Sequence, residues 1–309
     1  MSTDDPEDIL SDALQTLYDY TPITHSFAGA VFRYVIPPEL FHLAKGDSSA
    51  TASANENDSK TITLTTPTTQ AGNWSLHASS IWASSLFVAN HLTDLHLDRH
   101  IQVLQQKGET HLRILELGAC AGLPSILIAK CYSGVEVIAS DYPDDELIRA
   151  LQANVDRNAV SQRCHVVPYA WGNSPKFFQS RRSSNSGCPV NDEPAFDIVL
   201  AADTLWNPEL HHTFIHTLQL TLRRTANARI YLIAGLHTGR HTLQAFLQAI
   251  ISTSGFVLEE VVERMVSGHE SREWNVESTG GEDDQERRRW VVWMSLKWSP
   301  SCISPLEQK

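Results

Sequence analysis

From residue 78 to residue 255 the chain alternates short apolar runs with longer amphipathic ones, and this alternation restricts the fold more than any other feature. "LRILEL", "VEVIAS", "HVVPYAW", "FDIVLAA" and "ARIYLIAG" have the length and composition of buried strands. "LPSILIAKCY", "DDELIRALQANVDRN", "PELHHTFIHTLQLTLRR" and "RHTLQAFLQAIISTSG" have helical periodicity. Strands and helices in this rhythm predict a doubly wound α/β fold with a mostly parallel sheet. "FVLEEVVERM" and "RRRWVVWMSLKW" then follow as two strands with no helix between them, which predicts an antiparallel closing strand. The expected core is a Rossmann-like sheet of seven strands.

Upstream, "ASSIWASSLFVANHLTDL" predicts a helix over 78–95, with Ile81, Trp82, Leu86, Val88, Ala89 and Leu92 at mixed spacings of three and four. Residues 1–74 read as an acidic N-terminal extension, with a short helix in "ILSDALQTLYDY". A hairpin forms from "AVFRYVIP" and "KTITLTTP", joined through the polar, mobile stretch 46–60. Residues 75–309 form the main domain, and the polar inserts 173–195 and 267–286 are expected to be disordered.

With 309 residues and 42% hydrophobic composition the chain can bury a full core. A net charge of −12 argues against nucleic acid and anionic membrane surfaces and favours a basic partner. Five cysteines without a CxxC pair, and an acidic opening in place of a secretion signal, point to a reduced cytoplasmic setting. No apolar run approaches the ~20 residues that cross a bilayer. Nothing in the sequence speaks to oligomeric state.

The chemistry is concentrated at the strand ends. "ELGACAG" after the first core strand fails the dinucleotide pattern, because the positions counted from Gly118 hold Gly118, Cys120 and Leu123; it also lacks the Lys-Ser/Thr of a phosphate loop. It does fit E-x-G-x-x-x-G with Glu116, Gly118 and Gly122, a turn that admits a sulfonium and an amino-acid moiety without cradling phosphate. Gly in a tight strand-to-helix turn is the competing structural explanation. Asp141, at the second strand's tip beside Tyr142, suits two ribose hydroxyls, or else caps the next helix. Trp171 after the third strand suits adenine stacking, or else a half-buried core position. Asp203 ends the fourth strand, where a carboxylate faces donor and incoming amine. His212 and His216 are four apart on a helix, yet no third ligand accompanies them and no metal site is expected.

Gly turn, Asp-Tyr-Pro, Trp-Gly and fourth-strand Asp, in this order, resemble the seven-β-strand S-adenosylmethionine-dependent methyltransferases. Within them "LELGACAGLPS", "SDYPD", "WG" and "AAD" look closest to the branch of nicotinamide N-methyltransferase-like and protein-lysine methyltransferases. They are similar to the fungal enzymes that methylate the N-terminus and a nearby lysine of elongation factor 1-alpha. "NPELHH" and "GLHTGRH" add to the likeness, which covers roughly residues 75–265. The resemblance implies S-adenosylmethionine as cofactor. It implies that Trp82 covers the donor, that Gly118, Ala119 and Cys120 form the turn, and that Asp141 takes the ribose. Trp171 then contacts adenine, and backbone near Ala202 closes the pocket.

Two departures stand out. Cys120 replaces a usual Gly, which is tolerable if its φ stays negative. "LHASSIWASS" carries His77 and Ala78 where the family has Trp and Gly. The expected function is N-methylation of a protein amine, with Asp203 orienting the acceptor and Trp206 assisting. A small-molecule methyltransferase and a catalytically silent binding protein remain as alternatives.

Overall fold

The computed structural model describes residue 10 and residues 21–40, 60–178, 196–277 and 282–303. The expected helix in 9–20, most of the mobile stretch 46–60 and most of the insert 173–195 lie outside these residues.

Among the described residues the main sheet has eight strands: β3 (Leu112–Leu117), β4 (Val135–Asp141), β5 (Cys164–Pro168), β6 (Ile198–Ala202), β7 (Arg229–Gly235), β8 (Phe256–Met265), β9 (Ser271–Glu273) and β10 (Trp290–Trp298). Their order is β5-β4-β3-β6-β7-β10-β8-β9. β3 to β7 run parallel, and β10 pairs antiparallel with both β7 and β8. The doubly wound sheet with an antiparallel closing strand is therefore present, and the three-residue β9 makes one strand more than the seven expected.

Side chains alternate across the sheet. Ile114, Ile198, Leu200, Tyr231, Ile233, Val291 and Trp293 pack into one apolar cluster; Leu115, Leu117, Val199, Leu232, Val292 and Met294 pack into the other. The first cluster is covered by α1 (Ala83–Asn90), α3 (Leu123–Cys131) and α4 (Asp145–Arg157), the second by α5 (His211–Thr221) and α6 (Arg240–Thr253). Burial of both faces explains why the strands read as continuous apolar runs. Another helix, α2 (Leu97–Gln106), was not anticipated; it begins directly after His96, which takes a left-handed φ of 50°.

The upstream helix starts at Ala83, not at 78. Ile81 and Trp82 are held like a strand instead: His25 N donates to the Ile81 carbonyl, Ala83 N donates to the Ile23 carbonyl, and Thr24 bridges Trp82. Insert 267–286 also departs from expectation. Besides β9 it contains the start of α7 (Asp284–Arg288), and Glu282 and Glu263 pair with Arg240 and Arg272 in a buried cluster. Such a cluster keeps its charges only because each has a partner.

The hairpin strands β1 (Val31–Val35) and β2 (Thr61–Thr65) pair antiparallel, as expected. They share the main core: Tyr34, Ile36, Ile62 and Leu64 belong to the first apolar cluster. Two amides, Asn154 in α4 and Asn158 at its C-terminal cap, bond the edge of β2. Asn158 Oδ1 accepts from Thr63 N at 3.0 Å while its Nδ2 donates to Thr63 O at 2.9 Å. Asn154 makes the same pair with Thr65, at 2.8 and 2.9 Å, and its Nδ2 also donates to Ala121 O at 3.0 Å.

Candidate functional site

The strand order reverses between β3 and β6, and in open α/β sheets ligands bind at the carboxyl ends beside that reversal. A cleft of about 370 Å³ opens there. Of the predicted residues, Trp82, Gly118, Cys120, Asp141, Tyr142, Trp171, Ala202, Asp203 and Trp206 line it. Glu116, Ala119 and Gly122 instead line a small adjoining recess.

The turn after β3 is stitched to β4. Gly118 N and Ala119 N donate to Ser140 O at 2.9 and 3.0 Å, and Cys120 N donates to Asp141 Oδ2 at 2.6 Å. Gly118 has φ +74°, and a Cβ there would lie 2.9 Å from Thr204 Cγ2 and 4.0 Å from the Trp171 ring. Only glycine satisfies both constraints. Gly122 has a different duty. At φ +85° it leads into α3, and a Cβ there would meet Leu151 Cδ1 at 2.6 Å, so its absence serves helix packing.

Cys120 does not keep a negative φ; it sits at +51°. Local contacts hold it in this left-handed conformation: its backbone N–H goes to Asp141, and its thiol donates to Ala78 O at 2.9 Å and Ser80 O at 3.2 Å. The side chain thus ties the turn to the entrance segment 77–82. Burial pushes this thiol far above its usual range, so it stays protonated and able to donate.

Asp141 accepts from Cys120 N and, at 2.7 Å, from Tyr142 N. Burial raises its pKa to about 6, against the lowering effect of these two bonds. Asp141 does not cap α4; Asp144 does, accepting from Glu146 N and Leu147 N. Glu116 is buried, and its Oε2 accepts from the Ser125 N–H at 3.0 Å and from the Ser125 hydroxyl. Desolvation raises its pKa to about 7. The third-strand turn is fixed by Gly172 N donating to Thr217 Oγ1 at 2.8 Å, and Trp171 packs against Phe214.

Across the cleft, Asp203 has φ +59° and its Oδ1 accepts from Gly235 N at 2.8 Å. Its Oδ2 is buried without a hydrogen-bond partner among the described residues. An orphaned acceptor of this kind costs about 1–3 kcal/mol until a donor reaches it. Aromatic rings gather beside it. His77 stands edge-on to Trp206 with centroids 5.0 Å apart, Trp82 stacks on His237 at 5.7 Å, and Trp82 Nε1 donates to His77 O at 2.8 Å. His211, the first His of "NPELHH", is buried and bonds Leu205 O through Nε2, which steadies the loop carrying Trp206. His212 and His216 are exposed.

The sequence reading missed Thr204, Tyr169 and Leu210 in the lining, and the partnership of His237 with Trp82. "GLHTGRH" was the available signal for His237; the other three carried none. Among the described residues the lining contains two aspartates and neither lysine nor arginine. It therefore suits cations and offers no side-chain charge to a phosphate.

A model of the lysine methyltransferase family matches residues 57–253, a span that includes β2. The chain belongs to this family. It is a methyltransferase with S-adenosylmethionine as methyl donor, and the acidic cleft, with Asp141, Asp203 and Gly118 in its lining, fits that donor. The protein N-terminal and lysine N-methyltransferase efm7 of Schizosaccharomyces pombe is 31% identical over 195 residues, which is 62% of this chain and 69% of that protein. The enzyme of the same name from Gibberella zeae is 30% identical over 51% of this chain and 60% of its own length. That of Neurospora crassa is 21% identical over 88% of both. Among solved structures, an O-methyltransferase from Bacillus cereus in complex with SAH aligns with a TM-score of 0.39 at 16% identity, covering 63% of this chain and 77% of its own. Among the described residues no helix is long and apolar enough to cross a membrane.

Proposed function

We propose that this methyltransferase modifies amino groups of a basic cytoplasmic protein, an N-terminal α-amine and a lysine, with elongation factor 1-alpha as the first candidate. The observation that carries this reading is Asp203 Oδ2, unpartnered among the described residues, beside His77, Trp82 and Trp206 in a cleft whose described lining has no lysine or arginine. The fungal relatives named above, all protein N-terminal and lysine N-methyltransferases, support it. They favour neither a small-molecule acceptor nor a silent binding protein.

In this reading Asp141 accepts the ribose hydroxyls, Trp171 lies against adenine, and Gly118, Ala119 and Cys120 present the turn to the methionyl part. Glu116, held by Ser125, lines the adjoining recess with Gly122 and Ala202, and Tyr142 borders the main cleft. The donor supplies an electrophilic methyl group on a sulfonium. The chain's task is to deliver a neutral amine in line with it and to exclude water. Asp203 first attracts the ammonium. The indoles of Trp82 and Trp206 then desolvate it, which favours proton loss to solvent at the cleft mouth. Asp203 Oδ2 next accepts one N–H of the neutral amine and so aims its lone pair. An α-amine, with a pKa near ~8, loses its proton more readily than a lysine near ~10.4.

The test is incubation with S-adenosylmethionine and recombinant elongation factor 1-alpha, with fragment mass spectrometry locating the methyl groups. Methylation on amino groups is expected. Asp203→Asn should lower kcat by roughly 100-fold while leaving S-adenosylhomocysteine affinity within about twofold. A factor returned without methylated amines removes that substrate, and an undiminished kcat removes Asp203.

A further inference from the structure

The mouth of the cleft is bordered by apolar side chains standing in water. Trp74 is 76% exposed, Tyr142 42% and Leu210 36%. Trp74 lies in a 3-10 turn, Ala71–Leu76, whose residues Asn73, Ser75 and Leu76 line the cleft while the Trp74 indole does not. No ring contacts that indole among the described residues. The turn is not loosely placed. Asp144 Oδ2 accepts from Asn73 Nδ2 at 2.7 Å and from Gln70 N at 3.1 Å, which clamps the turn against the loop that carries Tyr142.

An indole held in water by a braced turn exposes a large apolar surface at a fixed place, and tryptophans so presented are common anchors of protein recognition. The surrounding charge narrows the occupant. Asp145 and Glu209 are exposed next to the Tyr142 loop and to Leu210, the described lining has no lysine or arginine, and the chain as a whole carries −12. A second copy of so acidic a chain is repelled from this face, whereas a basic segment is drawn to it.

We propose that Trp74, with Tyr142 and Leu210, forms a docking rim for an extended basic segment of the acceptor protein, with an apolar side chain of that segment resting on the Trp74 indole. This rests on the protein-amine reading above and adds that affinity for the acceptor is set outside the reacting centre. Binding energy gathered at the rim delivers the amine to Asp203.

The test uses two synthetic acceptors, each with a free α-amine and one lysine: a basic peptide of roughly twelve residues containing one leucine, and its first three residues alone. Kd is measured by calorimetry with S-adenosylhomocysteine present, alongside kcat and KM. The wild-type enzyme should bind the long peptide at least about tenfold tighter than the short one. Trp74→Ala should remove that advantage without changing S-adenosylhomocysteine affinity or turnover of the short peptide. The double variant Asp145→Lys, Glu209→Lys should weaken the long peptide too, most at low salt.

Equal long-peptide affinity in wild type and Trp74→Ala overturns the proposal while methylation continues. A wild-type dimer that Trp74→Ala dissociates assigns the rim to a second copy and also overturns it. So does a long-peptide Kd that tightens when residues 1–20 are deleted from the wild type but not from Trp74→Ala, because the rim then belongs to the chain's own N-terminus. If neither peptide is methylated by any form, the protein-amine reading falls first and the rim with it.

Discussion

The two walls of the cleft are built differently. The wall over β3, β4 and β5 is made of backbone: Gly118, Ala119 and Cys120 donate to β4 or to Asp141, and both Asp141 oxygens have protein partners. The wall over β6 and β7 is made of side chains: an Asp203 with one oxygen satisfied, and rings contributed by positions 77, 82, 206 and 237. A backbone wall is rigid and suits a ligand that never varies. A wall of side chains can be altered one residue at a time, and His77, edge-on to Trp206, is a position of that kind.

The sharpest way to break this contrast is Gly118→Val. A Cβ 2.9 Å from Thr204 in a left-handed turn forces the backbone wall to move. S-adenosylhomocysteine affinity by calorimetry should fall by at least about 100-fold, without loss of fold by circular dichroism. Unchanged affinity would mean that the turn is not a donor wall at all.

A smaller effect concerns charge beneath the turn. Glu116 has its pKa raised to about 7 by burial, against 4.5 as reference. Between these values the unfolded chain gives up its proton while the folded one keeps it, so this group's contribution to stability declines as pH rises from 4.5 through 7. Glu116→Gln keeps an acceptor for Ser125 and removes the ionisation. It should therefore gain on wild type by up to about 3 kcal/mol at pH 8 and by little at pH 4.5, read from urea unfolding at both. A pH-independent difference would show that burial of Glu116 is relieved by water.

The mildest test is at Cys120, where the two walls meet. Cys120→Gly removes left-handed strain of about 1 kcal/mol together with the thiol contacts to Ala78 and Ser80, so the melting temperature should change little. Acceptor KM should nevertheless rise about threefold, because the entrance segment is released, while donor affinity holds. Cys120→Ser, which keeps a donor, should restore most of that loss. Donor affinity falling along with acceptor affinity would place the thiol's role wholly on the backbone wall.

The same division decides what the sequence could reveal. Alternating apolar runs determine the layers, because a sheet covered on both faces leaves no other pattern. Gly118 and Asp141 were legible because left-handed turns and strand-tip carboxylates restrict residue type locally. Asp203 was legible by position, though not its positive φ or its lone buried oxygen. The contacts of His77 with Trp206 and of Trp82 with His237 join positions more than a hundred residues apart, and nothing local marks them. Helix α2 escaped because His96 makes a left-handed start that glycine would have advertised. Trp82 was placed inside a helix because its spacing fits one; strand-like bonds to residues 23–25 outweigh that preference.

Asn154 grips strand β2 and the turn after β3 with one amide, bonding Thr65 on one side and the Ala121 carbonyl on the other. Residue 75 is consequently a poor place to cut. A truncated enzyme would leave Asn154 and Asn158 with idle hydrogen-bonding groups beside the turn after β3, and Ile62 and Leu64 would be missing from the shared core. What looks along the chain like a preface is, in space, a splint for the turn that floors the cleft.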